Sequence, residues 1–306
     1  MTVRATLIGF LAILMWALLA LFSSLSGSVP PFLLCAFSFS IATVIGLVAT
    51  RRASATTPAK VPAMAWVIGV GGLFGYHFFY FSAVRNAPVV EANLINYLWP
   101  LLIVFGSALM PGGGLKWHHI AGALLGLAGT VLIVSQGGRF AFDPQFAFGY
   151  GIAVLAAITW AAYSLLSRRY AAVPTRMVTW YCAAAAVLSL VCHLTLEETV
   201  MPSGTVEWLA VIGMGLMPVG GAFFVWDYGV KHGNIQVLGA ASYAAPLLST
   251  LLLIVFGIST LTVPIALACI LITGGAVLAS KDMIGRRKPP IAAPVPDPLD
   301  SQRMNG

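Results

Sequence analysis

The stretch VVEANLINYLWPLLIVF, Val89 to Phe105, is apolar enough to cross a membrane yet carries Glu91, Asn93, Asn96, Tyr97, Trp99 and Pro100. At 100° per residue, Asn93, Asn96, Tyr97 and Pro100 fall within an arc of about 100°, while the leucines lie largely elsewhere. Two amides, a phenol and a proline supply neither a nucleophile nor an acid–base pair. What they supply is binding: neutral donors and acceptors beside a flat ring, with a kink where Pro100 removes an intrahelical hydrogen bond. Tyr243 and Pro246, in SYAAPLL, repeat the pattern, with Ser242 and Ser249 nearby. Asn and Tyr can instead join one helix to another, which model systems value at about 0.6–2 kcal/mol. Recurrence of the motif favours an inward face lining a cavity.

Further aromatic residues could complete such a lining. Tyr76 and Tyr80 stand one helical turn apart with His77 beside them, and Tyr163 lies close to one turn beyond Trp160. Trp16 and Trp160 fall near the middle of their apolar runs, away from the interfacial belts where Trp is enriched. Aromatic residues at helical spacing also serve simple packing, so ligand contact and core remain open for each. Glu91 is in the first helical turn after Pro88, where a helix N-terminus favours an anion, and nearly opposite Asn96. A structural role and a role in substrate or proton coupling are both compatible with that place. Asp227 has Lys231 four residues on, which suggests a surface ion pair.

Other chemistries find no support. There is no HExxH metal pair, no GxSxG elbow and no nucleotide-binding loop ending in Gly-Lys-Ser/Thr. His118-His119 reads as interfacial, and no metal or cofactor is expected. Cys35, Cys182, Cys192 and Cys269 all fall in apolar runs, as small buried hydrophobes do, and their spacing is not that of a metal site or disulfide framework.

The elements that must position these residues follow from composition. The chain has 306 residues, 59% of them hydrophobic and 8% charged, with a mean hydropathy of +0.94. Soluble domains carry about 25% charged residues, so a water-surrounded core is excluded. Apolar runs of spanning length occur at about 5–25, 30–50, 63–84, 88–109, 117–136, 147–167, 174–196, 205–230, 234–257 and 262–280, separated by Gly- and Pro-rich turns. The first run is read as a span rather than a cleaved signal. With the N-terminus inside, fourteen of the sixteen Lys and Arg fall on the cytoplasmic side, leaving Arg85 and Arg139 outside. Both termini are therefore expected inside. This topology also accounts for the net charge of +7, so no nucleic-acid partner is inferred.

The two halves match. Trp16 and Trp160 are 144 residues apart; Arg85 and Lys231, Tyr97 and Tyr243, Pro100 and Pro246, and Gly129 and Gly275 are each 146 apart. Five spans per half is an odd number, so the second half must enter the membrane from the opposite side. The expectation is an all-α polytopic membrane protein of ten transmembrane helices, two inverted five-helix repeats around a central cavity. Residues 1–136 would form the first repeat, 137–146 a periplasmic linker, 147–284 the second repeat and 285–306 a disordered, Pro-rich cytoplasmic tail. Gly71-x-x-x-Gly75, Gly122-x-x-x-Gly126 and Gly274-Gly275 suggest close helix packing; Gly220-Gly221 and Pro218 could be hinges.

These features resemble the drug/metabolite transporter superfamily of the EamA type. NYLWP at Asn96–Pro100, Glu91 five residues before it, TWAAY at Thr159–Tyr163, HGN at His232–Asn234 and ATLIG at Ala5–Gly9 narrow the resemblance to its bacterial aromatic amino acid exporters. The resemblance implies export of aromatic and other neutral amino acids across the bacterial inner membrane by alternating access. It implies that Trp16, Tyr76, Tyr80, Tyr97, Trp99 and Trp160 line the cavity, and that a monomer in the lipid bilayer suffices. A multidrug or other metabolite exporter of the same fold is the nearest rival. An intramembrane enzyme would need paired carboxylates, and only Glu91 and Asp227, near opposite faces, are on offer.

Overall fold

The computed structural model describes residues 2–51, 61–110, 114–138, 142–257 and 260–284. Among them no strand occurs, and nine helical segments are long and apolar enough to cross a membrane. In chain order these are α1 (Thr2–Leu25), α2 (Pro31–Thr50), α3 (Ala63–Asn86), α4 (Val89–Leu109), α5 (Trp117–Val134), α6 (Pro144–Arg169), α7 (Thr175–Leu196), α8 (Thr205–His232) and α9 (Ile235–Val255). A shorter apolar helix, α10 (Val263–Ala279), follows. The tail expected to be disordered lies outside the described residues.

Packing pairs the two halves with each other. Helix α1 lies against α8 and α9, and α6 lies against α3 and α4, while α2 packs on α7, α4 on α9 and α5 on α10. Exchanging α1–α5 for α6–α10 leaves this set of pairings unchanged. Small residues permit the approach where side chains would otherwise intervene. A Cβ on Gly122 would meet the Gly275 carbonyl, and one on Gly275 would meet that of Gly122, so α5 and α10 touch through backbone.

Four spans are interrupted at matching places in the two halves, and α1 has a further break at Leu18. In α4 the helix stops at Asn96 and restarts at Trp99. Pro100 has no N–H to offer the Asn96 carbonyl and its ring would crowd that turn. Leu98 N–H bonds instead to Ile95 O at 3.0 Å, and Pro100 sits in the first turn of the new segment, where it is tolerated. Pro246 does the same in α9, which stops at Ala241 and restarts at Ala244. Helix α3 widens into a π-helical turn at Gly71–Gly75. Its counterpart α8 breaks between Leu216 and Gly221, around Pro218. The HGN segment closes the turn from α8 to α9: Asn234 caps α9 by accepting Val237 N–H at 3.1 Å, and Arg168 of α6 donates to the Gly233 carbonyl at 2.8 Å.

Candidate functional site

The interruptions surround a cavity of about 440 Å³. Trp16, Leu19, Ala20 and Ser23 of α1 form one wall, and Tyr76, His77 and Tyr80 of α3 form another. Asn93, Asn96, Tyr97 and Trp99 come from α4, and Trp160 from α6. The broken region of α8 adds Pro218, Val219 and Phe223, and α9 adds Ala245, Pro246, Ser249, Thr250 and Leu253. Along α1, α3 and α9 these residues run from mid-helix toward the C-terminal end. The cavity thus occupies one half of the molecule's depth, on the side of Arg85 and Glu197.

Its floor is a cluster of tryptophans that no single helix could present. Trp16, Trp99, Trp160 and Trp226 come from four helices, and every pair of rings has centroids between 4.9 and 6.3 Å apart. Most meet edge to face or tilted, the arrangement that aligns positive ring edges with negative faces. Trp226, fully buried, donates its indole N–H to Ser164 Oγ at 3.0 Å. Trp226 was not among the expected site residues; its approximate 146-residue partner is Tyr80, and that was the available signal.

The polar groups of the wall pair across α3 and α4. Tyr80 donates its hydroxyl to Asn93 Oδ1 at 2.9 Å, and Asn96 Nδ2 donates to the Tyr76 hydroxyl at 3.1 Å. Asn96 Oδ1 is buried and accepts no hydrogen bond. His77 Nδ1 lies 2.7 Å from the Leu73 carbonyl; only a protonated Nδ1 can donate there, which leaves Nε2 as an acceptor in the neutral ring. No Asp, Glu, Lys or Arg side chain lines the cavity among the described residues. A surface of rings, amides and hydroxyls can hold a flat apolar group and a neutral or zwitterionic polar end. A lone cation finds no carboxylate there.

Of the residues singled out by sequence, Trp16, Tyr76, His77, Tyr80, Asn93, Asn96, Tyr97, Trp99 and Trp160 come together on this wall with Pro246. Tyr163, Tyr243, Pro100 and Glu91 do not line it. Tyr163 packs behind Trp160 at 5.2 Å and against Gly72. Tyr243 is fully buried against Gly126 of α5. Pro100 sets the break without reaching the cavity, and Glu91 is partly exposed in the first turn of α4. Of the α8 and α9 contributions, Ser249 stands near the repeated motif in sequence, whereas nothing local marks Val219, Phe223 and Thr250.

One expectation about charge is corrected. The Asp227–Lys231 pair forms, at 2.8 Å, but both side chains are buried, 1% and 3% exposed, rather than at the surface. Thr175 of the α6–α7 connection donates to Asp227 Oδ2 at 2.7 Å, and Lys231 donates to the Val173 carbonyl. The Glu197 side chain, just beyond α7, is 1% exposed. It accepts from Arg85 at 2.8 Å and from the Phe32 and Leu33 amides that open α2, as an anion at a helix N-terminus should. His193 lies 3.0 Å from it.

His118 and His119, at the start of α5, are buried against the protein. With Asp282 they bring three ligand-type atoms within 4.8 Å of one another. Lys116 already holds Asp282 at 2.7 Å and keeps that carboxyl below its usual range, while His119 Nδ1 accepts the Lys116 amide. Through the Lys116–Asp282 pair the cluster ties α5 to the residues after α10, while Nε2 of His118 and of His119 stay buried without a hydrogen-bond partner.

Comparison with known proteins places the chain. A model described as "EamA-like transporter family" matches residues 3–135 and again 147–281. A protein of Ancylobacter novellus named "Aromatic amino acid exporter YddG" is 51% identical over 92% of this chain and 98% of its own length. Proteins of the same name from Salmonella typhimurium and Escherichia coli are 26% and 24% identical, over 81% and 90% of this chain and 87% and 96% of their own lengths. A solved crystal structure 51% identical in sequence superposes with a TM-score of 0.87, covering 90% of this chain and 98% of that one.

Proposed function

The chain belongs to the EamA-like transporter family, and on that premise we propose that it exports aromatic and other neutral amino acids from cytoplasm to periplasm by alternating access. It is a multi-pass protein of the bacterial inner membrane and a transporter rather than an enzyme by family. The observation that carries the substrate class is the cavity itself. Its volume falls within the 300–1,000 Å³ typical of small-molecule sites, its walls are aromatic, and its polar groups carry no fixed charge. The substrate ring lies among Trp16, Tyr76, Tyr80, Tyr97, Trp99 and Trp160; Asn93 and Asn96 meet its polar end. A cationic drug as main cargo is disfavoured by the lack of a carboxylate in the wall.

Two inverted five-helix repeats, 1–136 and 147–284 with both termini cytoplasmic, account for the double family match, the exchange-symmetric pairings and the parity of the spans. Under this reading α10 is the tenth crossing, the cavity faces the periplasm, and the tryptophan floor bars the cytoplasmic side. Pro100 and Pro246 place the flexible joints at which α4 and α9 change shape between states. Tyr163 and Tyr243 act from behind the wall. A monomer provides the whole site.

The test is uptake of labelled phenylalanine by proteoliposomes of purified protein, with and without an imposed pH gradient. Equilibrating uptake without the gradient supports a facilitator; accumulation only with it makes Glu91 the first coupling residue to replace. No uptake by intact protein under either condition overturns the assignment.

A further inference from the structure

The central cavity offers no charge, yet an exporter of amino acids must collect a zwitterion from the other side of the tryptophan floor. Below that floor is a further, small space of about 10 Å³, room for about one water. Its lining includes Asp227, Lys231, Tyr170, Tyr181 and Ser167. Position along the helices fixes the order: on α8, Phe223 faces the cavity, Trp226 lies in the floor, and Asp227 and Lys231 follow; on α6, Trp160, Ser164 and Ser167 descend in the same sense. Asp227 is 1% exposed, and its Oδ1 has no hydrogen-bond partner. Burying two charges in a membrane segment is costly even when they pair, and such residues mark functional sites by default.

We propose that Asp227 and Lys231, with the Tyr170 and Tyr181 rings beside them, form a second amino acid subsite on the cytoplasmic side, collapsed in this conformation. This rests on the amino acid exporter reading. In the closed form the two side chains satisfy each other, and the α6–α7 connection covers them through Thr175 Oγ1 on Asp227 and the Val173 carbonyl on Lys231. When that connection withdraws, the carboxylate of Asp227 meets the substrate ammonium and the ammonium of Lys231 meets its carboxylate. The ligand class is therefore a free α-amino acid with both charged groups and an apolar side chain. Arg168 is not available as a competing cation, since it is engaged with the Val230 and Gly233 carbonyls.

The experiment uses inside-out membrane vesicles, which present the cytoplasmic face, with phenylalanine as transported probe and phenethylamine and 3-phenylpropionate as competitors. Lys231→Met should raise the half-saturating phenylalanine concentration about tenfold or more. It should abolish competition by 3-phenylpropionate but spare that by phenethylamine; Asp227→Asn should do the reverse. Phenylalanine binding from the periplasmic face should not change. Equal loss for all three compounds, or a change in maximal rate alone, would show a packing lock and overturn the proposal. If the charge variants fail to insert, Ser167→Cys provides a second reading against the wild-type background. Phenylalanine should slow its labelling by a permeant maleimide at concentrations that half-saturate transport, and absence of protection overturns the subsite. Wild-type vesicles that do not transport phenylalanine would remove the exporter reading and the subsite together; normal wild-type transport with indifferent variants would remove only the subsite.

Discussion

Asn96 on α4 donates its amide to the Tyr76 hydroxyl on α3 at 3.1 Å, while its own side-chain oxygen, buried, accepts nothing. The bond orients the amide, and the orphaned acceptor is the kind of group a substrate N–H would satisfy. Leaving such a group unpaired costs about 1–3 kcal/mol, a cost that a substrate N–H at this place would relieve.

Asn96→Leu should accordingly weaken phenylalanine binding by about 1–3 kcal/mol, roughly 5- to 150-fold. Isothermal calorimetry on the purified protein reads this directly, with thermal unfolding as a control for the fold. Unchanged affinity would mean that Asn96 serves only to tie α3 to α4.

Trp160→Ala and Tyr97→Ala should separate packing from contact. Trp160 meets Trp16 at 5.6 Å, Tyr76 at 5.2 Å and Phe223 at 5.8 Å, so its truncation should cost about 3–5 kcal/mol of stability as well as transport. Tyr97, half-buried on the wall, should lose transport with a far smaller change in unfolding temperature. Retained transport in both variants would remove the aromatic wall from the site.

Asn93→Asp should change what the cavity accepts. A carboxylate in a wall that now holds only neutral groups would admit phenethylamine as a competitor and weaken phenylalanine. A competition panel in proteoliposomes measures it, and an unaltered ranking of the two would show that the wall's charge does not select cargo.

Glu197→Gln should destabilise the fold without touching the cavity. Its carboxylate carries charge-assisted bonds to Arg85 and to the start of α2, each type worth about 1.5–3 kcal/mol when buried. The expected result is a lower unfolding temperature in detergent with phenylalanine affinity intact. Arg85→Gln should reproduce part of it, and a double variant no worse than Glu197→Gln alone would confirm a shared interaction.

Gly122→Leu tests the α5–α10 contact. The new side chain would collide with the Gly275 carbonyl and Ala279, and overpacking of this kind costs about 1–3 kcal/mol. Reduced yield and thermal stability should follow, whereas the same change at Gly274, where a Cβ meets nothing, should be tolerated.

Much of this molecule could be read from the chain alone, because the forces responsible are local to one segment or uniform across the bilayer. Hydrocarbon demands long apolar helices, so the span positions followed from composition. Proline cannot donate a backbone bond, so the breaks at Pro100 and Pro246 followed from two residues and their common offset. The amphipathic arc of Asn93, Asn96 and Tyr97 identified a face with something polar to look at. Tertiary structure alone decided which faces met. Helical period places residues around one axis but says nothing of how that axis is rotated against its neighbours. Tyr243, matched to Tyr97 by sequence, is therefore turned onto Gly126 instead of the cavity, and Tyr163 is turned behind Trp160. Trp226 entered the floor, and Phe223 and Thr250 the wall, by the same rotations. The Asp227–Lys231 pair looked like a surface pair because burial is a property of what packs over a residue, which for Asp227 is a connection more than fifty residues away along the chain.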